Sequence, residues 1–205
     1  MKQTFKVLKI STYLLCAAFL LNSCNSGGDN SAGAVTDTAA TTAPASADNS
    51  NAASQKLSDP EIASVAVTAD QIDIEYAAIA KEKSQNADVL KFAETMAKDH
   101  QSVNDQAVAL ATKLGVTPQD NATTQSLISG AATTKEMLNS KTGADFDKAY
   151  IDNEVAYHKA AIGVVENTLI PDATNAELKS LLQTALPIFK QHLEHAEMIQ
   201  KQFSK

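Results

Sequence analysis

The sequence predicts an all-α fold: four long amphipathic helices in a bundle, with one long crossover that carries a short extra helix. Three observations lead there. From Ser58 onward apolar residues recur in steps of three and four, and no stretch alternates as a half-buried strand does. Start and stop signals cut this region into long segments of roughly 25 residues. Two of the connections between long segments are a few residues each, whereas one spans about 30 residues.

The elements come in chain order. Ser58-Asp59-Pro60-Glu61 has the capping-box pattern with a proline in the first turn. The helix it opens carries Ile62, Val65, Ala69, Ile72, Tyr76 and Ile79 along one seam. A second helix starts near Ala87 and carries Val89, Phe92, Met96, His100, Val103, Ala107, Leu110 and Leu114. Gly115 supplies the left-handed residue that ends it. Thr117-Pro118-Gln119-Asp120 opens a shorter helix that runs to about Ser140. The third long helix runs from about Ala144 to Leu169 and stops at Ile170-Pro171. Thr174-Asn175-Ala176-Glu177 reads as another capping box. The last helix carries Leu178, Leu181, Ala185, Ile188, His192, His195 and Ile199. Pro187 inside it predicts a kink one turn before His192.

Loop length sets the topology. Short connections make the first and second long helices antiparallel neighbours, and likewise the third and fourth. The long connection has the reach to return the chain along the bundle, at about 1.5 Å per helical residue. A ferritin-like arrangement has one such crossover, and a simple up-down-up-down bundle needs none.

The residues before Ser58 carry other signals. Residues 1–23 read as a secretory signal, with Lys2, Lys6 and Lys9 ahead of a short apolar run from Ile10 to Leu21. That run is short of the roughly 20 residues a membrane span needs. It ends at Leu21-Asn22-Ser23-Cys24, which resembles the lipobox of bacterial lipoproteins. On this reading Cys24 is lipidated and anchors the chain to a membrane. Asn25 after the cysteine points to the outer membrane of the bacterial envelope. The competing readings are an ordinary signal peptide and an uncleaved anchor. Residues 24–57 are rich in Ser, Ala, Thr and Asn and nearly free of large apolar side chains. They cannot offset their own ordering entropy, so they read as a tether to a domain at 58–205.

Composition excludes several functions. A net charge of −7 argues against a nucleic-acid partner, and removing residues 1–23 takes three lysines and no acid, leaving −10. Two cysteines provide no disulfide framework and no thiolate zinc cluster. A Gly-rich phosphate loop and a cysteine-centred triad are missing. The residues name no reaction, and no protein partner.

The four histidines carry what chemistry there is. His100, His158, His192 and His195 each fall on an apolar seam. Glu154 shares the face of His158 at i, i+4, and Glu75 lies at the edge of the first helix's seam. With the crossover topology, the helical rise puts Glu75, His100, Glu154, His158, His192 and His195 in one band about 12 Å deep. Two readings compete. The groups hydrogen-bond to one another in a polar core layer without a ligand, or they converge on a transition metal such as Fe, Cu, Zn or Mn. The Glu-x-x-His pairs of di-iron bundles are absent. Asp99 and His100 are adjacent, so both cannot enter one site, and Asp99 reads instead as a surface acid or as a partner that orients an imidazole on a neighbouring helix. Met96 one turn before His100 would suit copper as a thioether ligand, or simply packs in the core.

Asp99-His100, then Phe146-Asp147-x-x-Tyr150, then His158, then Leu186-Pro187 followed by His192 resemble, in order and spacing, a bacterial family of unknown function numbered 4142. The resemblance covers roughly residues 58–203. It implies a ferritin-like bundle and an outer-membrane location, and no established reaction. Asp99, His100, Phe146, Asp147, Tyr150, His158, Pro187 and His192 are the positions that fit. Asp147 has a structural reading besides, as a carboxylate in the first turn of its helix.

Overall fold

A computed structural model describes residues 56–203. The expected signal segment and most of the tether lie outside the described residues. Helix α1 spans Asp59–Lys83, α2 Ala87–Leu114, α3 Ala122–Asn139 and α4 Gly143–Val164. A π-helical turn, Val165–Leu169, leads into the short α5, Ile170–Asp172, and α6 closes the bundle at Ala176–Gln200. There is no strand among the described residues, and none of these helices is long and apolar enough to cross a membrane.

Local chemistry explains the ends. Glu61 accepts hydrogen bonds from the backbone N–H and hydroxyl of Ser58, closing the start of α1. The Asn86 side chain caps α2 by accepting from Asp88 and Val89, and Gly115 ends it with φ +64°. Three of the expected boundaries move. The segment after Gly115 stays extended to Asn121, because Gln119 donates its N–H to the Pro60 carbonyl and Asn121 reaches Glu61 before capping α3. Helical structure in the fourth segment continues past Leu169 to Asp172, passing through the π-helical turn Val165–Leu169 and over Pro171. Thr174 does not cap α6. Its hydroxyl and N–H donate to Asp59 instead, and Asn175 is the cap.

Cross-links fix the direction of each helix. Thr124 at the start of α3 touches Ser64 near the start of α1, and Lys83 at the end of α1 donates to the carbonyls of Leu138 and Asn139 at the end of α3. The crossover therefore runs beside α1 and returns the chain to the α1–α2 turn. There Ser84 donates to Asp147 of α4 at 2.6 Å. Helix α4 descends to the opposite end, where Asp59 holds the start of α6.

The core has two apolar halves. Tyr76, Phe92, Met96, Phe146 and Tyr150 fill the half near the α1–α2 turn. Ile62, Val65, Val103, Leu182 and Phe189 belong to the half at the other end of the bundle. Along every long helix of the four a polar residue interrupts the apolar seam at the junction of the two halves, so the bundle is crossed by one buried polar layer.

Candidate metal centre

Each of the four long helices α1, α2, α4 and α6 contributes to the layer. From α1 come Asp70 and Asp73, one turn apart on the buried face. From α2 comes His100, from α4 Glu154 and His158 at i, i+4, and from α6 His192. All six are buried, and Asp73 and Glu154 are fully so. The imidazoles of His100, His158 and His192 form a triangle with ring centres 5.2–5.6 Å apart.

Every imidazole is held by one nitrogen and leaves the other free. His100 Nδ1 lies 2.8 Å from Asp70 Oδ1, His158 Nδ1 lies 3.0 Å from the Glu154 carbonyl, and His192 Nε2 lies 3.1 Å from Asp99 Oδ2. Carboxylate and carbonyl oxygens only accept, so these three nitrogens carry the protons. Their opposite nitrogens, His100 Nε2, His158 Nε2 and His192 Nδ1, have no hydrogen-bond partner. One nitrogen from each ring lies within 4.8 Å of one from each of the others. Asp73 brings a carboxylate oxygen to 3.2 Å from His100 Nε2 and 3.5 Å from His158 Nε2. Asp73, Glu154 and His158 also group within 4.8 Å, and the Asp73 and Glu154 carboxyls lie close enough to share a proton in a hydrogen bond.

Burial and mutual charge tune these groups. Burial raises Asp73 to about 6, with His100 opposing and Asp70 adding to the shift. Glu154 rises well above the usual carboxylate range, through burial and then the neighbouring Asp73. Burial likewise raises Asp70, against its hydrogen bond to His100. Burial lowers His158 to about 3, helped by His100 and His192. It lowers His192 to about 4, against the hydrogen bond to Asp99. Burial also disfavours charge on His100, yet Asp73 and Asp70 outweigh it and its pKa rises. At neutral pH the His158 and His192 imidazoles are therefore neutral, and the His158 Nε2 lone pair faces Asp73.

Not every expected residue joins the layer. Glu75 is half-exposed and binds Lys135 of α3 at 2.7 Å. The buried face of α1 passes through Ile62, Asp73, Tyr76 and Ala80, which turns Glu75 toward the crossover. His195 sits edge-on to Phe92 with ring centres 5.2 Å apart. The buried face of α6 runs through Leu182, Phe189, His192 and Ala196, so His195 falls at its edge, as Leu181 and Ile188 do. Met96 packs in the apolar half near the α1–α2 turn. Asp147 lies beyond the first turn of α4 and accepts from Ser84 rather than serving the helix terminus. Tyr150 stacks on Phe146, with a buried hydroxyl that has no partner. Pro187 lies on the exposed face of α6, and the helix runs through it.

Asp70 and Asp73 are the residues that sequence reasoning missed. A seam drawn through Ile72 leaves them to one side. Their signal is the spacing Asp73-Tyr76-Ala77-Ala80, which marks the buried face as clearly as the Ile72 row does.

A family described as "Domain of unknown function (DUF4142)" matches residues 41–199. No curated protein and no solved structure matches the chain.

Proposed function

The chain belongs to the DUF4142 family, and for this member we propose a transition-metal-binding module, anchored by a lipid on Cys24 to the bacterial outer membrane. One observation carries the metal reading. Three buried imidazoles each spend one nitrogen on an outer acceptor and aim the other, unpartnered, at a shared space beside Asp73. An outer carboxylate or carbonyl that fixes tautomer and ring direction is the usual support of a metal-bound histidine. A polar core layer without a ligand would instead satisfy its own donors and acceptors, because leaving them unpaired costs about 1–3 kcal/mol each. His100, His158 and His192 would hold the metal with Asp73, and Glu154 stands near enough to join them. Imidazole and carboxylate together suit Zn, Fe, Mn or Cu(II). The lipid anchor rests on the Leu21-Asn22-Ser23-Cys24 pattern.

The test is elemental analysis of the mature chain, purified without a His tag and carrying Cys24→Ser, with thermal melts in Fe(II), Cu(II), Zn(II) and Mn(II). One metal per chain, with a melting shift lost in the His100→Gln/His192→Gln double variant, supports the proposal. No stoichiometric metal and no shift would leave a polar core layer and remove it.

A further inference from the structure

The apolar half far from the α1–α2 turn is not filled. A cavity of about 150 Å³ remains, and Ala66, Ala69, Ala107 and Ala185 are among the small side chains that line it. Its lining extends from Asp59 and Leu178, at the end of the bundle, to Asp73 and His158 in the polar layer. Along α1 that distance is about 21 Å. The walls are apolar, with Val103, Leu182 and Phe189 among them. The inner end is polar: Asp73, His158 and His100 are 0%, 1% and 4% exposed, and His158 Nε2 offers a nitrogen with no hydrogen-bond partner.

We propose that this cavity is a binding site for a small uncharged molecule with an apolar body and a single hydrogen-bond donor, of the class of phenol or a short-chain alcohol. Size sets the body: about 150 Å³ between apolar walls has room for a group the size of benzene. The walls set the charge, because an ion there would lose its hydration without a partner. The inner end sets the donor. A hydroxyl that reaches His158 Nε2 satisfies an acceptor that is otherwise unpaired, which is the interaction that discriminates most strongly between hydroxyl-bearing and bare analogues. The proposal stands on the cavity and the unpaired acceptor, and it holds for metal-free protein.

The experiment is calorimetric titration of the chelator-treated mature chain (Cys24→Ser) with phenol and with benzene, with methyl-detected NMR to locate the contact. Expected are saturable one-to-one binding, phenol at least tenfold tighter than benzene, and shifts at the methyls of Val103 and Leu182. Ala107→Leu should weaken phenol at least tenfold by filling the cavity. If that variant misfolds, Ala69→Val gives the same reading. Absence of saturable binding, or binding untouched by both fillings, overturns the site. Equal affinity for benzene and phenol overturns the recognition of the hydroxyl. Metal titrations on the same samples report separately on the metal proposal.

Discussion

Replacing Asp73 by asparagine should make the metal-free protein more stable while removing its metal affinity. In the folded protein Asp73 is fully buried and titrates near 6, against an ordinary 3.8. The folded state therefore binds the extra proton between those values, and stability falls as pH rises through them. At pH 7 the full penalty applies, about 3 kcal/mol at about 1.4 kcal/mol per pKa unit. That figure is already net of the attraction to His100. Asparagine keeps the volume and cannot ionise, so Asp73→Asn should recover most of it. For a domain of this size the gain is about 6–12 °C in melting temperature at pH 7. At pH 5 the wild-type carboxyl is mostly protonated, and the gain should shrink to about half. The assay is thermal and urea unfolding of chelator-treated wild type and variant at both pH values. Destabilisation by Asp73→Asn at pH 7, or a gain equal at the two pH values, would mean that the buried charge is not what limits stability.

The same layer and its supports yield further expectations. Asp70→Asn leaves His100 without the carboxylate that fixes its tautomer, so metal affinity should fall about 10–100-fold with the fold intact, as circular dichroism and metal titration would show. Metal uptake at pH 6 should release protons in weakly buffered solution, because Asp73 titrates near 6 and gives up its proton to bind the ion. No release would mean that the carboxylates stay outside the coordination sphere. Ser84→Ala removes the 2.6 Å hydrogen bond that ties the α1–α2 turn to Asp147. It should cost about 1–3 kcal/mol in urea unfolding, with metal affinity unchanged.

How much of this was legible depended on the type of signal. Helix ends marked by Gly115 and by Ser58 with Glu61 were readable because capping is local chemistry. The crossover was readable because its length admits few paths. Thr174 misled because its hydroxyl found a partner 115 positions away in Asp59, which no local pattern reveals. The histidines of the layer were visible as polar breaks in apolar seams. Which of them meet depends on helix rotation, and a small rotation of α6 decides between His192 and His195. Asp70 and Asp73 were hidden for the same reason: α1 buries a broad face, and a single seam through Ile72 captured only one side of it. Glu75 looked equivalent by depth, but Lys135 on α3 claims it, and the placement of α3 is a tertiary fact.

The decisive observation is the set of atoms around a bound ion, read by X-ray absorption at the metal edge on zinc-loaded wild type and His158→Gln. Three imidazole nitrogens at about 2.0–2.1 Å are expected in wild type, joined by carboxylate oxygen, with one imidazole fewer in the variant. A coordination sphere of oxygen alone, or one unchanged by His158→Gln, would contradict a metal centre built on these histidines.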